Sequence, residues 1–175
     1  MLAFLLGGAR SGKSALAQRL VAATGAPTTV VVTAEPGDDE MMARIARHRV
    51  ERDPSWCTVE APRALLAACD AIDDESVVLI DCVSFWVANR VMDGDGEDAV
   101  ADEARRLAAW AAARRAWVVA VSNEVGAGVV PDNELARRFR DALGRANAAL
   151  CAHATHAWYV AASRVVTLEP PPEAL

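Results

Sequence analysis

The run GGARSGKS at residues 7–14 decides the fold, and it follows directly on an apolar run at residues 2–6. It matches the pattern G-x-x-x-x-G-K-[ST], in which glycines let the backbone curl until successive N–H groups point inward. The helix that follows aims the positive end of its dipole at the same point, which favours phosphate. In this pattern Lys13 reaches the β- and γ-phosphates of a nucleotide, and the Ser14 hydroxyl binds Mg²⁺. The sequence therefore predicts a phosphate-binding loop between a buried strand and a helix.

The rest of the chain alternates short apolar runs with longer stretches rich in Ala, Arg and Glu. The apolar runs predict five strands, at residues 2–6, 28–33, 77–81, 117–122 and 157–161. Because these runs are continuously apolar, we expect central parallel strands that are covered on both faces. The intervening stretches predict six helices, at residues 12–23, 38–50, 62–72, 83–91, 98–115 and 133–152. A last run at 164–168 predicts an antiparallel edge strand, and we expect one α/β domain over residues 1–175.

Composition narrows the class of protein. The chain has 175 residues, 53% of them apolar, and a net charge of −6, which disfavours a nucleic-acid-binding surface. No apolar run approaches the ~18 residues that a membrane-spanning helix requires, so we expect no membrane partner. Cys57, Cys69, Cys82 and Cys151 lack the paired short spacing of metal or redox motifs, which predicts buried free thiols in a reducing cytoplasm. The Pro-rich residues 170–172 predict a frayed tail.

A phosphate loop usually works with an acidic residue at the end of a neighbouring strand, which holds Mg²⁺ directly or through water. The predicted strand 77–81 ends in Asp81, which supplies that carboxylate. The structural alternative is a helix N-cap ahead of residues 82–91, since Asp is a preferred capping residue. The two roles are compatible, so the sequence leaves both open.

Residues 38–49 begin with three carboxylates and end in basic side chains, which is the charge pattern of a stable helix. Arg47, Arg49 and Arg52 are close in sequence to His48. Cationic neighbours favour the neutral imidazole, and this is the form that attacks a phosphorus centre. A solvated basic helix end explains the same residues, so the residue types alone do not assign a function to His48.

Several segments together resemble the bifunctional adenosylcobinamide kinase/adenosylcobinamide-phosphate guanylyltransferase family of cobalamin biosynthesis. They are the phosphate loop, residues 38–52 followed by Trp56 and Glu60, then Asp81 and Cys82, and finally residues 122–131 and 138–141. The resemblance extends over nearly the whole chain. The family often has Thr at the position of Ser84, and Asn-Gln where this chain has Asn147 and Ala148.

The resemblance implies two reactions. A nucleoside triphosphate phosphorylates the aminopropanol hydroxyl of adenosylcobinamide, and GTP then guanylylates a histidine with release of pyrophosphate. The GMP passes to adenosylcobinamide phosphate, which gives adenosylcobinamide-GDP. The family's modified histidine lies in the motif R-I-x-x-H-[KR], which falls on residues 44–49 and so on His48. The resemblance also implies a three-layer, RecA-like P-loop NTPase fold and assembly as a homotrimer.

The family's site residues carry over onto this chain position by position. The implied nucleotide contacts are Gly7, Gly8, Ala9, Arg10, Ser11, Gly12, Lys13, Ser14, Thr33, Ala34, Glu35, Arg49, Val50, Glu51, Arg52, Glu60 and Asp81. Catalysis is expected from His48 and Lys13, with Mg²⁺ on Ser14 and Asp81 and with GTP and ATP as substrates. For Glu60, a surface position that closes a turn before Pro62 explains the sequence equally well.

Residues 123–128 (NEVGAG) follow the fourth predicted strand, at the carboxyl edge where open α/β sheets bind ligands. They are candidates for contacting the corrinoid or the γ-phosphate side of the nucleotide. A Gly-supported turn into the next helix, capped by Asn133, is the structural alternative.

Two other functions fit part of the sequence. A regulatory GTP-binding switch usually reads guanine with the motif N-K-x-D, which cannot occur here because Lys13 is the only lysine. A single-activity small-molecule P-loop kinase explains the phosphate loop and Asp81, but it gives His48 no catalytic role. The single-activity kinase is therefore the main alternative.

Overall fold

One seven-stranded sheet organises the computed structural model, which describes residues 1–171. In chain order the elements are β1 (Leu2–Gly7), α1 (Lys13–Ala22), β2 (Thr28–Val32), α2 (Asp39–Val50), β3 (Cys57–Glu60), α3 (Leu65–Asp70), β4 (Val77–Asp81), α4 (Val83–Met92), α5 (Glu97–Ala113), β5 (Val118–Asn123), α6 (Glu134–His153), β6 (His156–Ala161) and β7 (Arg164–Thr167). The strand order is β3-β2-β4-β5-β1-β6-β7. All pairs are parallel except β6 with β7. The predicted tail at residues 170–172 lies partly outside the described residues.

Helices cover both faces of the sheet. On one face α3, α4, α5 and α6 bury residues such as Trp86 and Leu143 in the same core as Phe4. On the other face α1 buries Val21 with Leu5. Phe4 and Leu5 are adjacent in β1 and enter different cores, because successive side chains of a strand point to opposite faces. The predicted three-layer α/β architecture is therefore confirmed.

The predicted strands match the observed ones to within one residue at each end, and the last strand is the predicted antiparallel edge. The helix predicted at residues 62–72 is shorter, because it covers only Leu65–Asp70. The carbonyl groups of Pro62 and Arg63 accept hydrogen bonds from Asn89 Nδ2 and Trp86 Nε1, each at 2.9 Å. These contacts to α4 take the place of helical hydrogen bonds.

The short strand β3 has no apolar run that would predict it. It lies at the edge of the sheet, and only Val59 of its four residues is half-buried. The expectation of four buried thiols is wrong for Cys57, which is exposed on this strand, and for Cys151, which is only half-buried. Cys69 and Cys82 are buried, and burial raises the pKa of Cys69 to about 12 and that of Cys82 to about 11.

The carboxyl ends of β1, β2, β4 and β5 meet at one edge of the sheet, since these strands run parallel. Loops from that edge carry the residues singled out by the sequence. Among residues 1–171, every helix is too short or too polar to cross a membrane.

Candidate active site

A cavity of about 620 Å³ opens at the carboxyl edge of the sheet. This volume lies in the range of small-molecule sites in proteins. Its polar lining includes Lys13, Ser14, His48, Arg49, Arg52, Glu60, Asp81 and Asn123. The structure therefore brings the phosphate loop, the acidic strand end and the histidine helix together around one space.

The phosphate loop leads into α1 without a side-chain cap. The N-cap residue is Gly12, with φ 96°, a left-handed conformation that side chains rarely adopt. The first N–H groups of α1 are consequently left for a ligand rather than for a capping side chain. Lys13 is buried, and its Nζ donates to the carbonyl of Gly8 at 2.9 Å, which ties the two ends of the loop together.

The β6–β7 hairpin supports this loop from behind. Ser163 N donates to Ser11 O at 2.8 Å. A Cβ added at Gly12 would lie 2.7 Å from Ser163 Oγ, and one added at Gly7 would lie 2.3 Å from the carbonyl oxygen of Val160. Only glycine therefore fits at these two positions, because an added side chain would collide with the hairpin.

Asp81 lies between a histidine and an arginine. Its Oδ2 is 3.6 Å from His48 Nδ1 and 3.3 Å from Arg52 Nη2. Burial raises the pKa of Asp81, but the nearby His48 and Arg52 outweigh that effect and lower it below its ordinary value. The arginines near His48 in sequence suggested a purely cationic environment. The structure adds the carboxylate of Asp81 to it.

The backbone that follows Asp81 is held by a fully buried threonine. The Thr33 hydroxyl accepts a hydrogen bond from Cys82 N at 3.1 Å and donates to Cys82 O at 2.5 Å. Asn89 Nδ2 in turn donates to Thr33 O at 2.9 Å. These bonds join the ends of β2 and β4, so they fix the position from which Asp81 enters the cavity.

The helix α2 presents His48 in its last turn. Asp38 caps the helix by accepting a hydrogen bond from Met41 N at 2.8 Å, and Asp39 and Glu40 occupy its first turn. The negative start and basic end complement the helix dipole. The predicted helix is confirmed, and its own sequence fixes where His48 stands along it.

Comparison with known proteins shows the family of the chain. The model of the family described as cobinamide kinase/cobinamide phosphate guanyltransferase (CobU) matches residues 3–168. The chain belongs to this family. It is 40% identical to the bifunctional adenosylcobalamin biosynthesis protein CobP of Pseudomonas aeruginosa, over 80% of this chain and 81% of that protein. It is 39% identical to the bifunctional adenosylcobalamin biosynthesis protein CobU of Escherichia coli, over 91% of this chain and 95% of that protein.

A solved structure confirms the fold class. The chain resembles a prototypical ATPase from the type III secretion system of pathogenic bacteria, with a TM-score of 0.54 and 11% identity. The alignment covers 90% of this chain and spans half the length of that ATPase chain. At this identity the likeness shows the fold alone, which is the P-loop NTPase architecture expected for this CobU-family chain.

The structure excludes one expectation and one alternative for Asp81. The strand β4 is not a neighbour of β1, because β5 lies between them. Asp81 nevertheless lines the same cavity as Lys13, since the loop and the strand end both face this edge. The alternative of a helix cap is excluded, because the N-cap residue of α4 is Cys82 and no side chain among residues 1–171 caps that helix.

The remaining residues carried over from the family fall into two groups. Ala34 and Glu60 line the cavity, as do Arg49 and Arg52. The second group lies outside the lining and comprises Thr33, Glu35, Val50, Glu51 and residues 7–12. Thr33 is fully buried, and Glu35 is paired with Arg63 at 2.6 Å. Val50 and Glu51 are exposed at the end of α2.

The cavity also has an apolar wall, which was not predicted from the sequence. Met41 and Ile45 of α2 line it, and Phe85 of α4 does too. Met41 and Ile45 are four residues apart and share a helix face, which is also the pattern of an ordinary core contact. None of the α2 residues whose burial is described is buried, so the apolar face of this helix meets the cavity rather than the core.

Proposed function

We propose that this chain catalyses both reactions of the CobU family. It phosphorylates the hydroxyl of adenosylcobinamide, and it then transfers GMP to the product through an adduct of His48. One observation carries the proposal: His48 lines the same cavity as Lys13 and Ser14 of the phosphate loop. A single-activity kinase needs the phosphate loop but no histidine facing its nucleotide.

In the first reaction the acceptor hydroxyl attacks the γ-phosphorus of a nucleoside triphosphate, ATP or GTP. An O–P bond forms while the bond from the γ-phosphorus to the β–γ bridging oxygen breaks. The electron pair leaves with the nucleoside diphosphate, and the hydroxyl proton is released to water. Lys13 and the N–H groups at the start of α1 stabilise the phosphate oxygens, because catalysis of this step is mostly positioning and electrostatics.

In the second reaction Nε2 of His48 attacks the α-phosphorus of GTP. An N–P bond forms, the bond to the α–β bridging oxygen breaks, and pyrophosphate leaves with the electron pair. A phosphate oxygen of adenosylcobinamide phosphate then attacks the same phosphorus, and the P–N bond breaks to regenerate the imidazole. The product is adenosylcobinamide-GDP. Lys13 thus serves a leaving pyrophosphate in this reaction and a transferred γ-phosphoryl group in the other.

Asp81 makes His48 a better nucleophile in this scheme. Its Oδ2 lies 3.6 Å from Nδ1 of His48, which leaves Nε2 as the ring nitrogen that attacks phosphorus in this scheme. The ring becomes cationic when the adduct forms, and an ionised carboxylate stabilises that charge. The lowered pKa of Asp81 keeps it ionised at neutral pH.

Ser14 and Asp81 are the proposed protein ligands of Mg²⁺. Both offer the oxygen atoms that Mg²⁺ prefers, and both line the cavity. Protein sites usually hold this ion by one or two side chains together with the nucleotide phosphates, so two oxygen donors suffice. When bound, Mg²⁺ neutralises phosphate charge.

The family's other nucleotide contacts are proposed at the positions that line the cavity, which are Ala34, Arg49, Arg52 and Glu60. Gly7, Gly8, Ala9, Arg10, Ser11 and Gly12 are proposed to contribute through the loop backbone. Thr33 acts indirectly, because its hydroxyl is bonded to Cys82. Glu35, Val50 and Glu51 would need the segments around α2 to move before they could touch the nucleotide.

We further propose that the chain acts as one catalytic domain in a cytoplasmic homotrimer, as the family resemblance implies. Free thiols at all four cysteines support a reducing compartment. Sedimentation analysis tests the trimer, because each added copy raises the mass of the assembly by the monomer mass of 18.6 kDa.

The decisive experiment uses GTP labelled at the α-phosphate. The protein is incubated with Mg²⁺ and this GTP and then denatured, and we expect protein-bound label that is acid-labile and alkali-stable, as phosphoramidates are. His48→Ala abolishes the label but leaves phosphoryl transfer to adenosylcobinamide. Lys13→Ala abolishes both activities, because the phosphate loop serves both reactions.

His153→Ala is the matched control, since His153 is an exposed histidine outside the cavity lining. It retains the label. Absence of label in the wild-type protein, with kinase activity present, would leave the single-activity kinase as the function. Label that persists in His48→Ala would place the adduct on another residue and refute the proposed mechanism.

A further inference from the structure

A closed ring of hydrogen bonds surrounds the carboxyl end of β5. Asn123 N donates to Ser84 Oγ at 2.7 Å, and Ser122 Oγ donates to Asn147 Oδ1 at 2.6 Å. Asn147 Nδ2 donates to Asn123 O at 3.0 Å. The hydroxyl oxygens of Ser84 and Ser122 are 3.4 Å apart. Because the Ser122 proton is already directed to Asn147, Ser84 is the donor between the two serines.

The ring is buried and internally satisfied. Ser84 is 4% exposed, Ser122 is 0% and Asn147 is 6%. Buried polar side chains are costly unless each one finds its partners, and a fully bonded network is rigid. This ring takes up both main-chain groups of Asn123. The backbone of Asn123 is therefore fixed, whereas its carboxamide makes no hydrogen bond within residues 1–171.

Asn123 lies next to the first residue of the phosphate loop in the sheet and lines the cavity. β5 lies between β1 and β4, with Asn123 paired with Gly7 and Val121 paired with Asp81. Asn123 and Lys13 both line the cavity. His48 enters from the other side, because α2 connects β2 and β3 beyond β4. A strand next to β1 thus positions Asn123, whereas a helix beyond β4 positions His48.

We propose that Nδ2 of Asn123 donates a hydrogen bond to an oxygen of the γ-phosphoryl group while that group moves to the acceptor hydroxyl. The proposal rests on the proposed function, since it assigns a residue to its first reaction. The carboxamide is uncharged, so it stabilises the moving group through one directed hydrogen bond. Lys13 supplies the positive charge. Asn123 contacts the substrate, whereas Ser84 acts through Asn123 and is a positioning residue.

Asn123→Ala is the direct test. Loss of one aimed donor costs about 10²–10³ in kcat in comparable sites. We therefore expect kcat for phosphoryl transfer to adenosylcobinamide to fall by about tenfold or more relative to any fall in the rate of His48 labelling. The KM for nucleotide changes little, because Lys13 and the loop N–H groups still bind the phosphates.

Ser84→Ala tests the ring. It removes the acceptor of Asn123 N, so phosphoryl transfer slows while labelling of His48 is less affected. Ser84→Thr keeps the hydroxyl and restores the rate of phosphoryl transfer. Thermal unfolding of both variants is measured in parallel, because Ser84 is buried and a loss of stability lowers both activities together.

The outcomes separate the two proposals. If the wild-type protein lacks either activity, the proposed function fails. If the wild type has both and Asn123→Ala slows both equally, or slows neither, the role of Asn123 is overturned. A Ser84→Thr variant no faster than Ser84→Ala would overturn the positioning role of the ring.

Discussion

Replacing Thr33 by valine removes one buried hydroxyl and keeps the shape of the side chain. That hydroxyl accepts from Cys82 N at 3.1 Å and donates to Cys82 O at 2.5 Å. In Thr33→Val the N–H of Cys82 is left in a buried site without its partner. The cost of such a group is about 1–3 kcal/mol, which lowers Tm by roughly 2–12 °C at about 2–4 °C per kcal/mol for a chain of this size.

The same change alters the active site, because Asp81 immediately precedes Cys82. Misplacement of a catalytic group by ~1 Å costs up to about 10²-fold, so we expect labelling of His48 to slow by about tenfold or more. Thermal unfolding by circular dichroism measures the first effect. Single-turnover labelling from α-labelled GTP, at a temperature where the variant is fully folded, measures the second.

Thr33→Ser is the matched control, because it keeps the hydroxyl and loses only a methyl group. Its cost is about 1 kcal/mol, and its labelling rate stays near that of the wild type. A Thr33→Val variant with wild-type Tm and labelling rate would refute the role assigned to this hydroxyl. Equal effects in the valine and serine variants would point to packing instead.

The remaining predictions concern the loop and the thiols. Gly12→Ala forces a side chain into φ 96° against Ser163, so it loses about 1–2 kcal/mol of stability and also His48 labelling. Gly25→Ala has similar strain at φ 63° but open space around it; equal loss of labelling there would refute a local effect at the loop. Iodoacetamide at pH 8 modifies the exposed Cys57 first, whereas Cys69 and Cys82 react only on unfolding, because burial raises their pKa to about 12 and 11. Mass spectrometry of the alkylated peptides measures that order, and early labelling of Cys69 would contradict the burial.

Local sequence predicted the strands because their signal is strong over a short distance. The run at residues 77–81 is buried along nearly its whole length, so its apolar residues are continuous. β3 gave no such signal, since a strand at the edge of the sheet buries few side chains. It forms a strand because it pairs with β2, which is distant in sequence. The helix predicted at 62–72 starts later than expected for a similar reason. Trp86 and Asn89, which are distant in sequence, donate hydrogen bonds to the carbonyl groups at its predicted start.

The phosphate loop could be predicted from the sequence because its chemistry depends on consecutive residues. The eight residues at 7–14 supply the flexible glycines, the backbone N–H donors and the Lys13 side chain, all within one short segment. His48 by itself was ambiguous among its arginines, and only the family motif selected it. The contact between His48 and Asp81 could not be read from the sequence, because β2 and β4 must pair before their ends meet.

The sequence by itself determined a phosphate loop, a parallel sheet and membership of a family with two linked transfer reactions. Each of these follows from residues that are neighbours in the chain or from motifs that stay intact when read in order. The tertiary structure decided that β5 separates β1 from β4, that Thr33 holds Cys82, and that a buried ring fixes Asn123. Those features depend on strand order and on contacts between distant segments, which local propensity does not encode.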